Sequence, residues 1–131
     1  MKINDISYQI RGAIFDVYNE LGPGLLENVY EKAMVHELQT RGLNVQCQVP
    51  IEILYKGKPL GMHYKLDMLV ENTVVVELKS VETLLPLFKK QLETYLKLSG
   101  KPLGILVNFN TNNLNNNIIR IANCPDNQEL K

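Results

Sequence analysis

Two short runs constrain this chain more than any other stretch. They are Lys65-Leu66-Asp67-Met68-Leu69-Val70 and, three residues later, Val74-Val75-Val76-Glu77-Leu78-Lys79. In the first, Leu66, Met68 and Val70 alternate with Lys65, Asp67 and Leu69. In the second, Val74, Val76 and Leu78 alternate with Val75, Glu77 and Lys79. A period of two belongs to a β-strand, and it predicts that the even-numbered residues of both runs share a fully apolar face. Antiparallel strands that bury a common face must pair even with even, because a slip of one residue turns every side chain through the sheet. A Glu71-Asn72-Thr73 loop meets that condition, with Asn72 suited to the positive φ of a tight hairpin turn. The predicted register sets Val70 opposite Val74, Met68 opposite Val76 and Leu66 opposite Leu78. On the other face it sets Asp67 opposite Glu77.

Like charges directly opposed on a sheet repel, by about 0.2–1 kcal/mol where exposed. The pair therefore asks for a cation. A divalent metal is one candidate; Lys79 on the same face, with Lys65 across from it, is another. A solvated cluster of ion pairs would use the same residues. Leu69 and Val75 share their face, however, and charges embedded in apolar surface are seldom left unpaired. Two acids and a lysine so placed are what metal-dependent phosphodiester hydrolysis requires.

Composition narrows the alternatives. A chain of 131 residues is one domain with room for a sizeable core. Fourteen Lys plus Arg balance fourteen Asp plus Glu, so any contact with nucleic acid must come from a local patch rather than a global field. A modest basic tilt runs from Lys79 through Lys89, Lys90 and Lys97 to Lys101. Cys47 and Cys124 have no metal-like spacing and read as reduced thiols, and with only His36 and His63 as nitrogen ligands zinc is disfavoured. No stretch approaches the ~18 apolar residues of a membrane span, and Met1 to Asp5 lacks a signal-peptide core. A cytoplasmic protein without a membrane partner is expected.

Helical spacing covers Asp5 to Leu21, which Gly22-Pro23-Gly24 then stops, and again Leu25 to Arg41, with Leu26, Val29, Tyr30, Ala33, Met34 and Leu38 as the second apolar stripe. Val45 to Tyr55 reads as a strand, Lys56-Gly57-Lys58-Pro59 as a turn, and Gly61 to Val70 as the strand that enters the hairpin. Leu84 to Leu98 is helical again. Gly104-Ile105-Leu106-Val107 suits a strand buried on both faces, an edge strand is expected near Ile118 to Ile121, and the tail from Pro125 reads as frayed. The order helix, helix, three strands, helix, strand predicts an α/β sandwich around a mixed sheet.

This order and these residues resemble the PD-(D/E)XK nuclease superfamily. Asp67 matches its first acid and Glu77-Leu78-Lys79 its (D/E)-X-K element. Gly24-Leu25-Leu26-Glu27-Asn28-Val29-Tyr30 looks like the signature of the bacterial and archaeal GxxExxY proteins of that superfamily. Gln91-Leu92-Glu93-Thr94-Tyr95 is similar to the Gln-x-x-x-Tyr element of RecB-type members, and Asn108-Phe109 is also typical; the Asn-rich run from Asn112 to Asn117 departs from the pattern. The resemblance implies a restriction-endonuclease-like α-β-β-β-α-β sandwich with an extra N-terminal helix. Residues 1–22 would form that helix, 24–109 the core, and 110–131 an Asn-rich loop, an edge strand and a tail.

The resemblance also assigns roles. It implies a nuclease dependent on Mg²⁺ or Mn²⁺ and acting on nucleic acid, DNA before RNA. Asp67, Glu77 and the Leu78 backbone carbonyl would hold the metal, with Glu27 reaching it directly or through water. Lys79 and Gln91 would complete the catalytic set, with Tyr95 and Tyr30 as accessories. Each has a plainer reading. An acid in the first turn of a helix is favoured by the macrodipole alone, Tyr30 lies on a packing stripe, and Gln91 with Tyr95 at i, i+4 could simply pack on the sheet. The rival function is a catalytically inactive nuclease-fold module that binds nucleic acid or protein in a defence or repair assembly. Cutting both strands of a duplex from so small a domain would ask for a homodimer or two visits.

Overall fold

Ile6, Ile10, Ala13, Ile14 and Val17 recur at helical spacing and form the buried stripe of α1 (Ile3–Leu21). In the computed structural model, which describes residues 1–123, α2 follows (Glu27–Thr40), then β1 (Val45–Tyr55), β2 (Lys58–Val70), β3 (Val74–Lys79), α3 (Pro86–Ser99), β4 (Leu103–Asn108), a 3₁₀ turn (Leu114–Asn117) and β5 (Ile118–Ala122). The expected tail from Pro125 lies outside the described residues, as does Cys124. The five strands make one sheet in chain order, with β3 and β4 parallel and the other neighbours antiparallel. A parallel pair needs a crossover, and α3 supplies it.

α1 and α2 cover one face of the sheet, over Met68, Val70, Val74, Val76, Leu78, Ile105 and Val107. α3 covers the other, where Leu92 and Leu96 meet Leu66, Leu69, Val75 and Leu106. Both faces are therefore dry, and β3 and β4 run through the middle with almost every residue buried. At Gly104 a β-carbon would stand 3.0 Å from the Leu92 side chain, so the missing side chain lets α3 sit close on β4. Among the described residues no helix is long and apolar enough to cross a membrane.

The hairpin pairs as its alternation predicts: Met68 with Val76, Leu69 with Val75 and Val70 with Val74. Both Glu71 and Asn72 take positive φ in the loop, 53° and 51°. Glu71 is held there by two bonds to Asn44, its N–H donating to the Asn44 carbonyl and its carboxylate accepting the Asn44 N–H.

Three expectations are corrected. Leu66 does not share the face of Met68 and Val70; it packs under α3 with Leu69 and Val75, because the strand's alternation is interrupted at Asp67. Lys65, alternating with Leu66 and Tyr64, is thereby turned from the α3 side, where Lys79 rests its ammonium on Phe88. Lys58 and Pro59 are strand residues paired with Tyr55 and Leu54, so the turn is Lys56-Gly57 alone, with φ of 50° and 79°, the positive pair of a two-residue hairpin. α2 begins only at Glu27, which leaves Leu26 74 % exposed and Val29 on the surface.

Candidate active site

Asp67 lies where the sheet opens. On its β3 side the ladder ends at Met68 and Val76. On its β1 side the pairing passes from Cys47–Met68 to Val49–Leu66 and skips Gln48 and Asp67, neither of which breaks the register. Backbone donors left free by such a gap need partners, and the acids provide them. The Asp67 N–H donates to Glu77 Oε2 at 2.9 Å, and the Leu78 N–H donates to Asp67 Oδ2 at 2.9 Å. Each carboxylate thus replaces a missing ladder bond of the opposite strand. The predicted juxtaposition of Asp67 and Glu77 is present as this reciprocal pair.

The electrostatics of the pair are unfavourable to two negative charges. Glu77 is only 4 % exposed. Burial first, then the Asp67 charge, push its carboxyl up to about 8, against the pull of the Asp67 N–H and Lys79. Asp67 is raised as well, by burial before all else, with the Leu78 N–H and Lys79 opposing and Glu27 and Glu31 adding to the rise. Desolvation dominates at both acids. Lys79 offsets part of the charge; its Nζ stands 4.6 Å from the centre of the Phe88 ring.

A pocket of about 220 Å³ opens beside the pair, lined by Glu27, Asn28, Glu31, Gln48, Asp67 and Leu78. Glu27 is the first residue of α2 and is exposed at the pocket's rim. The loop before it is fixed by Tyr30, whose hydroxyl donates to the Gly22 carbonyl at 2.5 Å and accepts the Leu25 N–H at 3.2 Å. The fully buried Tyr30 ring stacks on Phe109 at 4.3 Å and 4°. Ser80, next after Lys79, donates its hydroxyl to the Leu25 carbonyl. The Gly-to-Tyr heptad is in this sense a clamp that joins the start of α2 to the end of β3.

Gln91 and Tyr95 stand on the other side of the acid pair from this pocket, near enough for the Glu77 and Asp67 charges to act on Tyr95. They line a second recess, with Tyr64, on the α3 side. The sequence does not single out Asn28, Glu31 or Gln48 as pocket residues. Glu31 stands one turn after Glu27 on the same helix face, a spacing that could have flagged it. Gln48 takes φ of 54° and donates Nε2 to Glu31 Oε1 at 2.8 Å. Among the described residues no three His, Cys, Asp or Glu side chains gather as a metal-holding group; Glu27 and Glu31 share the pocket with Asp67 and add to its raised pKa.

A model of the PD-(D/E)XK nuclease superfamily matches residues 4–121. The chain belongs to that superfamily. No curated protein and no solved structure matches it significantly. Membership places the α-β-β-β-α-β core and the extra α1 within the superfamily's restriction-endonuclease-like architecture, and superfamily nucleases generally use divalent metals. The donors suit such an ion. Two hard carboxylates sit in a buried setting that resists their ionisation, close enough to hydrogen-bond each other when one is protonated, and among the described residues no backbone N–H donates to Asp67 Oδ1 or Glu77 Oε1. Mg²⁺-like ions take one or two carboxylates and complete their shell with water and substrate oxygens.

Proposed function

We propose that the chain is a divalent-metal-dependent nuclease that hydrolyses phosphodiester bonds, of DNA before RNA. The observation that carries this reading is the Asp67–Glu77 pair, buried, reciprocally bonded to backbone and short of positive charge, with Lys79 alongside. Asp67, Glu77 and the Leu78 carbonyl would hold Mg²⁺ or Mn²⁺, with Glu27 acting through water. An ion bound there would supply Lewis-acid stabilisation of charge on the scissile phosphate.

The chain's own residues would do the rest. Lys79, its ammonium resting over the Phe88 ring, orients the attacking water and offsets negative charge building on the phosphate oxygens. Gln48 donates to Glu31 at the pocket's mouth and so occupies one oxygen of the carboxylate that faces Asp67 there. The Gly24 to Tyr30 heptad supports a place among the GxxExxY proteins. One site per chain also favours a homodimer where both strands of a duplex are cut.

Cleavage of linear and supercoiled DNA, single-stranded DNA and RNA with Mg²⁺ or Mn²⁺ tests the reading. The native chain should cut, and Lys79→Ala should cut more slowly by roughly 10²- to 10⁴-fold. A native chain that cuts nothing with either ion would leave the inactive binding module in its place.

A further inference from the structure

The α3 side of the site carries a recess larger than a role for Gln91 beside the acids would need. It measures about 180 Å³ and is lined by Tyr64, Leu87, Lys90, Gln91, Thr94 and Tyr95. The rings of Tyr64 and Tyr95 stand 5.3 Å apart and are inclined at 50°, so they form two walls of an open notch rather than a closed stack. Tyr64 stays 45 % exposed. Gln91, half-buried one turn before Tyr95, forms no side-chain hydrogen bond with the described residues. Lys90 is exposed at the rim, and no acid lines the recess.

The notch adjoins the acid pair. Tyr64 precedes Asp67 by three residues on β2, ~10 Å along the strand. On α3, Phe88 carries the Lys79 ammonium, and Gln91 and Tyr95 continue the same helix face toward Tyr64. The charges of Glu77 and Asp67 reach the Tyr95 hydroxyl, whose pKa is raised by burial first and then by Glu77.

Aromatic faces stack on any base. A primary amide offers both a donor and an acceptor to a base edge, and a lysine at the rim suits the adjoining phosphate. Inside a duplex the faces of a base are covered by its neighbours, so only an unstacked base can enter such a notch. We propose that the notch receives one unpaired nucleobase of the strand whose phosphate is held at Asp67 and Glu77, which makes the substrate a single strand or a duplex opened beside the cut. The location of the phosphate rests on the nuclease reading; base binding does not require cleavage.

The test measures binding of the full chain, in EDTA so that no strand is cut, to labelled 12-mers of thymidine, of uridine, of abasic deoxyribose phosphate, and to a blunt duplex. The base-bearing single strands should bind about five- to hundred-fold more tightly than the abasic strand, the range expected for stacking of one base. Tyr64→Ala should remove that difference, while Tyr64→Phe keeps it. Tyr64 is half-exposed on β2, and matched thermal melts of the two variants confirm that both fold. Preference for thymidine or for uridine assigns DNA or RNA. Equal binding of abasic and base-bearing strands, tighter binding of the blunt duplex, no binding of any strand, or a Tyr64→Ala variant indistinguishable from the native chain overturns the proposal. Base-dependent binding without cleavage by Mg²⁺ or Mn²⁺ would retain the notch and lose the nuclease, and cleavage without base preference would do the reverse.

Discussion

Tyr30 reaches the pocket without touching it. Its hydroxyl satisfies the Gly22 carbonyl and the Leu25 N–H at once, while its ring is fully buried against Phe109. Tyr30→Phe keeps the stack and strips both polar partners, and because these groups are only partly buried the loss should fall at the lower end of the about 1–3 kcal/mol that an unpaired buried group costs. Urea denaturation should show a loss of that size with an unchanged slope. Because the same two bonds set the entry of α2, the variant should also cut more slowly, a few-fold rather than the far larger loss expected of Lys79→Ala. A Tyr30→Phe protein as stable as the native chain would mean that the hydroxyl's partners are met by water and that the heptad's tyrosine serves packing alone.

A bulge in the β1–β2 arm decides what faces Asp67. Tyr55 pairs with Lys58 and Leu54 with Pro59, but beyond them Glu52 pairs with His63, so that Ile53 alone spans Leu60, Gly61 and Met62. Gly61 makes the excursion at φ of 76°, a conformation that costs an L-residue roughly 1–2 kcal/mol. Gly61→Ala should lower stability by about that much in urea, and it should reduce cleavage as well, since the register downstream of the bulge is what brings Gln48 beside Asp67. Unimpaired cleavage in a destabilised Gly61→Ala protein would separate the arm from the site. The same bulge explains what the amino-acid order could and could not disclose. Alternation is sufficient for the β2–β3 register, because Met68 to Val76 is an unbroken ladder, and it located the acid pair. It failed at Leu66 because parity holds only while the ladder does, and at Asp67 side chains take over the bonds of the backbone. Counting from the Lys56-Gly57 turn without the bulge would set Gln48 across from Lys65, so its meeting with Glu31 was not legible. Nor does any residue pattern announce a glutamine at positive φ. Of the helical stripe Tyr30, Met34 and Leu38 are buried as the spacing predicts, whereas Leu26 precedes the first turn of α2 and Val29 lies on its exposed side.

Two carboxyls that resist ionisation couple the stability of the entire domain to pH and to cations. Glu77 moves from the ordinary glutamate value of 4.5 to about 8 in the folded protein, and Asp67 moves in the same direction. Between those pH values the folded state keeps a proton that the unfolded chain has already released, so stability falls as pH rises through the window and levels off above it. The slope for one proton is at most about 1.4 kcal/mol per pH unit. The metal-free protein should accordingly melt at progressively lower temperature from about pH 5 to about pH 8, and Glu77→Gln, which cannot ionise, should flatten that profile. A divalent ion favours the deprotonated ligands and stabilises whichever state binds it. Millimolar Mn²⁺ should therefore raise the melting temperature more at pH 8 than at pH 5, and Asp67→Ala should abolish the difference. Scanning calorimetry of the three proteins at both pH values, with Mn²⁺ and with EDTA, reads all of these at once. If Mn²⁺ leaves the native melting temperature unmoved at pH 8 and Asp67→Ala behaves identically, the pair holds no metal. A falling pH profile that survives in Glu77→Gln would assign the raised pKa to a group other than Glu77.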